Sequence, residues 1–212
     1  MKLLIAIPAL DYIHVDFMRC LVKLVERLKD DNVDFETQIQ SGTLVYAARD
    51  KLAIHAMQNG FTHVLWLDAD MIFTDDLLDD LMFSGKDFVT GIARSRRKPF
   101  VSCLFKDLST CERIETYPDD TFEVAGCGFA CVLVNVDVIK DVWASFRTCF
   151  LPEKTLGEDL AFCDRARFCG HKIYAEPGAK VGHIAHITIY PDDFKKWQDD
   201  VIIPEGVQHG IT

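Results

Sequence analysis

The first half of the chain alternates short apolar runs with longer segments whose apolar residues recur at helical spacing. Strands are predicted over Lys2 to Ile7, Phe35 to Gln40 and His63 to Leu67. Helices are predicted over Val15 to Leu28, from the cap residues Ser41-Gly42-Thr43 to Asn59-Gly60, and from the N-cap Thr74 with Asp75 and Asp76 in its first turn. Three strand–helix units in a row indicate a parallel sheet with helices on both of its faces.

The second half is less regular and predicts mixed strand pairing. Its predicted strands are Asp87 to Ile92, Val101 to Phe105 and Cys131 to Val136, and its predicted helices are Glu158 to Phe168 and Asp192 to Asp200. We therefore expect an α/β, Rossmann-like mixed sheet that is mostly parallel in its first half. In such sheets, ligands bind outside the carboxyl ends of the strands.

Length and composition are those of one globular domain. The chain has 212 residues, of which 49% are hydrophobic, so it can bury a sizeable core. We expect a single domain over 1–212, with residues 201–212 as a tail or linker and further domains C-terminal of residue 212 left open. The formal net charge of -10 argues against a nucleic-acid partner, because phosphate backbones are bound by basic surfaces.

The apolar segments are too short to cross a membrane. The N-terminal run stops at Pro8 without a small-residue cleavage site, and other apolar runs fall well below the ~18 residues of a membrane span. We expect no membrane insertion and a cytoplasmic location. The eight cysteines form no C-x-x-C pair, so reduced, mostly buried thiols are predicted.

An acidic pair follows the third predicted strand. Asp68 and Asp70 are separated by one residue, and side chains two apart on an extended chain point the same way. Mg²⁺ and Mn²⁺ are bound by one or two carboxylates together with the oxygens of a diphosphate, so the pair suits a nucleotide ligand. A solvated acidic turn before a helix is the alternative.

Four segments together resemble the GT-A glycosyltransferases, and most closely those encoded by large chlorella viruses. The segments, in the order of that family, are Ala47-Ala48-Arg49-Asp50 followed by Gly60 to Asp70, then Gly126-Cys127-Gly128-Phe129-Ala130, then Gly157-Glu158-Asp159-Leu160-Ala161-Phe162-Cys163, and finally Val181-Gly182-His183. The resemblance implies a nucleotide-binding half over about 1–100 and a donor-sugar and acceptor half over about 101–190. It covers residues 1 to about 186.

The resemblance also implies a role for each matched residue. Asp159 is the expected catalytic base. The expected nucleotide-binding residues among them are Arg49, Asp68 and Ala69. Pro8 and Ala9 lie outside the matched segments, but they directly follow the first strand, where a nucleobase could pack at the carboxyl edge of the sheet; a plain loop is the alternative. Residues expected near the donor sugar and acceptor are Gly126, Cys127, Gly128 and Glu158. The expected metal ligands are Asp68, Asp70 and His183, with Mn²⁺ as the cation and Mg²⁺ as the alternative.

The residues themselves leave other readings open. Arg49 pairs with phosphate or a base, or else forms a salt bridge with Asp50 or Asp68. Glu158 and Asp159 also suit a helix start as first-turn charges. His186 is the alternative metal ligand to His183. The basic cluster Arg94, Arg96, Arg97 and Lys98 binds either a diphosphate or an anionic acceptor, or forms a solvated loop.

The predicted function is an inverting, divalent-metal-dependent transfer of a sugar from a nucleotide-sugar to a hydroxyl of a glycan or glycoprotein. The resemblance implies that the nucleotide is UDP. UDP-glucose, another UDP-hexose and a UDP-deoxyhexose are equally compatible donors. A nucleotidyltransferase is a rival, although no Gly-rich basic loop follows the first strand. A non-catalytic nucleotide-sugar-binding domain is the rival from a different class.

Overall fold

The computed structural model describes residues 1–153 and 155–185. Its strands are β1 (Lys2–Pro8), β2 (Asp34–Gln40), β3 (His63–Leu67), β4 (Met71–Ile72), β5 (Phe88–Ile92), β6 (Leu104–Asp107), β7 (Glu112–Arg113), β8 (Phe122–Val124), β9 (Gly126–Cys127), β10 (Cys131–Asn135), β11 (Ile173–Lys180) and β12 (Gly182–His183). Its helices are α1 (Val15–Asp30), α2 (Val45–Gln58), α3 (Leu77–Phe83), α4 (Val136–Phe146) and α5 (Glu158–Phe168).

A seven-stranded mixed sheet organises the molecule, in the order β2-β1-β3-β10-β5-β11-β8. Strands β2, β1 and β3 pair in parallel, as do β5 and β11, whereas β10 and β8 run antiparallel to their neighbours. Two small sheets, β12-β4 and β7-β6-β9, lie beside it. The α/β class, the parallel first half and the mixed second half are as predicted.

Alternation along the buried strands directs side chains to two apolar layers. In β1, Leu3 and Ile5 pack in the layer that includes apolar side chains of α1 and α3, whereas Leu4 packs in the layer that includes those of α2, α4 and α5. In β3, Leu65 belongs to the first layer and Trp66 to the second. Helices therefore cover both faces of the sheet, because every second residue of a central strand needs an apolar partner on each side.

Several predicted boundaries were wrong. Helix α2 begins at Val45 after Leu44, which forms no side-chain cap, so Ser41-Gly42-Thr43 does not cap it. Helix α3 begins at Leu77 with Asp76 at the N-cap position, while the Thr74 hydroxyl donates a hydrogen bond to the Asp76 carboxylate. The predicted cap residues therefore lie one to three residues before the observed N-cap positions, Leu44 and Asp76.

The irregular second half deviates most from prediction. The strand predicted over Val101 to Phe105 is β6, displaced to Leu104–Asp107, and the predicted strand end at Val136 is the first residue of α4. Neither α4 nor β11 was predicted, whereas α5 has the predicted bounds. The predicted helix Asp192 to Asp200 and the tail 201–212 lie outside the described residues.

All eight cysteines are free thiols. Four of them are buried, three are partly buried and Cys111 is exposed, so half of the thiols are fully enclosed. Within 1–153 and 155–185, no helix is both long and apolar enough to span a bilayer.

Candidate active site

The acidic pair lies in a tight turn that begins where β3 ends. The Met71 amide donates to the Asp68 carbonyl over 3.2 Å, and the Asp68 amide donates to the carbonyl of Ala130, the residue before β10, over 3.1 Å. The two aspartates therefore lie in a turn and not on an extended strand end, although both side chains line one cavity. The turn gives each carboxylate its own set of partners, with Arg49 at Asp68 and His183 at Asp70.

Strand β12 brings His183 to the acidic pair. His183 pairs with Met71 in the antiparallel β12-β4 ladder, and the Ile184 amide donates to the Asp70 carbonyl over 2.9 Å. The His183 imidazole places Nε2 3.3 Å from Asp70 Oδ2 and Nδ1 3.0 Å from the Arg94 carbonyl oxygen. Because a carbonyl only accepts hydrogen bonds, Nδ1 carries a proton, and the ring orientation is fixed with Nε2 towards Asp70.

The contacts of His183 and Asp70 shift the pKa values of both side chains. Burial alone would lower the pKa of His183, but the hydrogen bonds with Asp70 and the Arg94 carbonyl outweigh burial and raise it. Burial alone would raise the pKa of Asp70, yet His183 and the adjacent Arg96 guanidinium lower it. Asp70 is therefore held as a carboxylate by the Arg96 guanidinium and by its contact with the His183 imidazole.

Arg49 is a buried cation beneath the site. It projects from α2 with only 2% of its surface exposed, and its Nη2 donates to Asp68 Oδ1 over 2.7 Å. Its Nε lies 3.7 Å from Glu158 Oε1, and its guanidinium carbon lies 5.2 Å from the centre of the Phe129 ring. Among the described residues, Nε and Nη1 have no hydrogen-bond partner, so the aromatic ring face is an important neighbour of this charge.

The Arg49–Asp68 contact ties the second strand–helix unit to the end of β3. Of the two acids considered as salt-bridge partners, Arg49 pairs with Asp68, while Asp50 turns away towards Thr148. The Asp68 side chain is 32% exposed, and its burial raises its pKa despite the opposing effect of Arg49. One face of Asp68 is thus fixed by Arg49 while the other remains open.

Asp159 lies in the first turn of α5, two residues after the N-cap residue Gly157. Its Oδ1 accepts a hydrogen bond from the Leu160 amide over 2.7 Å. Burial and the neighbouring Glu158 charge raise the pKa of Asp159 to about 6. A carboxylate of this kind is a stronger base than a solvated aspartate and is still ionised at neutral pH.

The three matched residues of the glycine-rich segment have different surroundings. Gly126 and Cys127 are buried in β9, where a Cβ on Gly126 would meet the Leu108 side chain at 2.8 Å. That glycine is required by core packing. Gly128 is partly exposed, and a Cβ there would lie 3.6 Å from Asp159 Oδ2. Of these residues, Gly128 is the one whose missing side chain leaves room beside the predicted base.

A cavity of about 400 Å³ opens at the carboxyl ends of β1 and β3. It is lined by eight residues predicted for the site, namely Pro8, Ala9, Arg49, Asp68, Ala69, Asp70, Glu158 and His183, and by Leu10, Tyr12, His14, Val45, Arg96 and Ile184. This volume lies within the range of small-molecule sites. Asp159 and the glycine-rich segment do not line it.

Sequence reasoning missed the apolar rim of this cavity. Leu10 is 64% and Tyr12 73% exposed, and both lie in the loop after β1. The His14 amide donates to the Ala69 carbonyl over 3.3 Å, which ties the loop after β1 to the acidic turn. An exposed aromatic just past a buried strand was the available signal, since ligands bind at such strand ends.

The donor set of Asp70 and His183 fits a divalent cation. In the described part of the chain, no three acidic, imidazole or thiol groups are close enough together to form a complete metal site. Mg²⁺ and Mn²⁺ need few protein ligands when a diphosphate supplies the remaining oxygens, and here a carboxylate adjoins an imidazole whose orientation is fixed by a carbonyl. The alternative ligand His186 lies outside the described residues.

Comparison with known proteins relates this chain to solved structures. No family model matches the sequence, and no curated protein matches it. The crystal structure of A197 from STIV is similar with a TM-score of 0.56 and 15% sequence identity, covering 90% of this chain and 97% of that one. The crystal structure of GalNAc-T7 with UDP, GalNAc and Mn²⁺ is similar with a TM-score of 0.54 and 10% identity, covering 87% of this chain and 44% of that one.

These similarities define the class of fold. The fold is the predicted mixed α/β class with a central sheet of seven strands, and its structural neighbours include a GT-A glycosyltransferase. At 10–15% identity the likeness concerns the fold, and a shared fold does not by itself assign chemistry. The residues at the cavity carry the functional argument.

Proposed function

We propose that this chain is a GT-A-type glycosyltransferase that binds a UDP-sugar with a divalent cation and transfers the sugar to a hydroxyl acceptor with inversion. The observation that carries the proposal is the contact between Asp70 and His183, which are 113 residues apart in the chain. Both line the cavity at the carboxyl ends of the parallel strands β1 and β3. The GT-A-type fold and the complex of GalNAc-T7 with UDP and Mn²⁺ support it.

The donor end of the site requires a cation and its ligands. Asp70 and His183 would hold Mn²⁺, or Mg²⁺, which when bound would neutralise the negative charge of the departing diphosphate. Asp68 is fixed on one side by Arg49, and its other oxygen would bind the ribose or water around the cation. Pro8 and Ala9, with Leu10 and Tyr12 of the rim, would provide an apolar surface for the nucleobase.

The acceptor end requires a base. Asp159 would accept the proton of the acceptor hydroxyl as the oxygen attacks the anomeric carbon, in a single in-line displacement that inverts the configuration. A raised pKa supports this role, because a more basic carboxylate transfers the proton more readily. Glu158, at the border of the cavity, is the candidate for binding sugar hydroxyls, and Gly128 leaves space beside the base.

The test is a screen of UDP-sugars for Mn²⁺-dependent binding and for release of UDP, with three variants. Asp159→Asn should lower turnover about 10²- to 10⁴-fold while UDP binding survives. Asp70→Ala should abolish metal-dependent UDP binding. Asp164→Asn is the matched control, because Asp164 lies on the exposed side of α5 and makes no side-chain hydrogen bond or ion pair within the described segments.

The outcomes separate this function from its rivals. Equal UDP affinity with and without metal would contradict the cation site, and wild-type turnover in Asp159→Asn would contradict the base. Binding of UDP-sugars without any turnover on glycan acceptors would instead support a non-catalytic binding domain. Release of pyrophosphate from UTP and a sugar phosphate would support a nucleotidyltransferase.

A further inference from the structure

A basic hairpin borders the cavity next to the acidic turn. This basic hairpin is the segment 94–102, whose ends are joined by an antiparallel bridge between Arg94 and Ser102. Arg96 and Arg97 follow the first end, and both side chains are exposed. The chain as a whole carries a formal charge of -10, so a cationic hairpin at the mouth of its cavity is a local reversal of sign.

Arg96 is the member of this hairpin that enters the cavity. Its guanidinium forms an ion pair with Asp70 Oδ2, the oxygen that also faces His183 Nε2 at 3.3 Å. A guanidinium and a divalent cation that both contact one carboxylate oxygen would lie close enough to repel each other, so they compete for this oxygen. Arg96 and a metal ion on Asp70 are therefore alternative partners of one carboxylate.

The base of the hairpin is held in place independently of Arg96. The Arg94 carbonyl accepts the hydrogen bond from His183 Nδ1 over 3.0 Å, and the Arg94 guanidinium contacts Glu115 Oε2 at 3.0 Å and the Phe100 carbonyl at 3.1 Å. The Arg96 side chain is 55% exposed on a long flexible stem. It can leave Asp70 without the hairpin unfolding, and it remains within reach of the cavity.

A displaced guanidinium needs another anion, and a nucleoside diphosphate brings one. Arginine matches phosphate oxygens with two parallel N–H groups, and charge-assisted bonds of this type are the stronger ones. A diphosphate that shares a cation with Asp70 and His183 would place its oxygens beside the position that Arg96 occupies. The residue that competes with the cation is thus well placed to bind the ligand that arrives with the cation.

We propose that Arg96 is a diphosphate-binding residue that pairs with Asp70 in the nucleotide-free protein and transfers to the donor phosphates when a divalent cation takes Asp70. This inference rests on the proposed function, because it requires a diphosphate and a cation in the cavity. It adds to that function a coupling: binding of the cation releases the arginine that completes the diphosphate site.

If this coupling exists, replacing Arg96 should strengthen the binding of Mn²⁺ and weaken the binding of UDP. Arg96→Ala should bind Mn²⁺ about three- to fivefold more tightly than the wild type without nucleotide, because a competing, partly exposed ion pair is gone. At saturating Mn²⁺, the same variant should bind UDP about tenfold more weakly, because a charge-assisted hydrogen bond to phosphate is lost. A loss of structure would weaken both.

The experiment measures Mn²⁺ binding to the nucleotide-free protein by electron paramagnetic resonance and UDP binding at saturating Mn²⁺ by calorimetry. Arg97→Ala is the matched control, since it removes the same charge from the same hairpin and its side chain makes no ion pair in the part of the chain that the structure describes. Arg97→Ala should leave both affinities within about twofold of the wild type.

The wild type is measured first, which separates the two proposals. If the wild type shows no Mn²⁺-dependent UDP binding, the proposed function fails and the role of Arg96 fails with it. If the wild type binds UDP with Mn²⁺ but Arg96→Ala matches Arg97→Ala in both measurements, the proposed function stands and the role of Arg96 is refuted. Tighter Mn²⁺ and weaker UDP binding in Arg96→Ala alone support it.

Discussion

At the scale of single residues, the site depends on carboxylates whose neighbours differ. Asp70 is held ionised by His183 and Arg96, whereas burial raises the pKa of Asp159 to about 6. Two carboxylates with such different surroundings suit different tasks, one as a cation ligand and the other as a base.

The pKa of Asp159 predicts an acidic limb in the rate profile. Because the base must be ionised to accept a proton, kcat should fall about tenfold for each pH unit below a midpoint near 6 and reach a plateau above it. The measurement is kcat against pH at saturating UDP-sugar and Mn²⁺. A midpoint near the ordinary aspartate value of about 4 would contradict the prediction.

The buried Arg49 is expected to stabilise the folded protein through its contacts with acidic residues of the site. Replacing it by Met leaves Asp68 and Glu158 without their buried cation, so the free energy of unfolding should fall by about 2–4 kcal/mol. Urea denaturation measures it. The control Arg167→Met, at an exposed position of α5, should change the same free energy by less than about 0.5 kcal/mol. Equal effects in the two variants would refute a special role for Arg49.

At the scale of elements, neighbouring residues of α2 connect different parts of the fold. Arg49 reaches the end of β3, while Asp50 accepts hydrogen bonds from the Thr148 hydroxyl and from the amides of Cys149 and Phe150, over 2.7 to 2.9 Å. Asp50 thereby fixes the segment after α4, which leads towards the start of α5. The Arg165 guanidinium binds carbonyls of the same segment from the other side, at Cys149 and Leu151.

Asp50→Ala should therefore destabilise the protein more than its partial exposure suggests. Two backbone amides and a hydroxyl would lose their acceptor, which costs about 2–3 kcal/mol and lowers the Tm by roughly 5–10 °C. Thermal unfolding followed by circular dichroism tests it. Asp164→Ala on the exposed side of α5 is the control, and an equally small shift in both variants would contradict the prediction.

At the scale of the whole molecule, the cavity joins segments that are far apart in the chain. Residues from the ends of β1 and β3, the start of α5, the basic hairpin and β12 all border it. A ligand that contacts all of these segments binds the folded chain and not the unfolded one, so its binding stabilises the fold.

UDP and Mn²⁺ together should raise the Tm, whereas each alone should have a smaller effect. At about one hundred times the dissociation constant, the stabilisation is about 2.7 kcal/mol, or roughly 5–10 °C. Differential scanning fluorimetry with UDP, Mn²⁺, both, and Mn²⁺ with CMP measures it. A shift with both that merely equals the sum of the separate shifts would contradict a shared site.

Part of this structure was predictable because it depends on local pattern. Strands β1, β2 and β3 and helices α1 and α5 were predicted to within a few residues. Helix α1 has strong apolar periodicity, and β1 and β3 are short, almost fully buried apolar runs. The Asp68-Ala69-Asp70 segment was predicted at a strand end, and it lies there. The roles assigned to these aspartates, to His183 and to Asp159 remain predictions.

What local pattern did not predict depends on contacts between distant segments. The sequence by itself determined the α/β class and the order of the first strand–helix units, because alternation and helical spacing select the burial of each residue. The tertiary structure decided that Arg49 lies beneath Asp68, that Arg96 faces Asp70, and that His183 joins a turn 113 residues before it. Such pairings follow from the packing of the sheet and its layers, and that packing is a property of the folded chain.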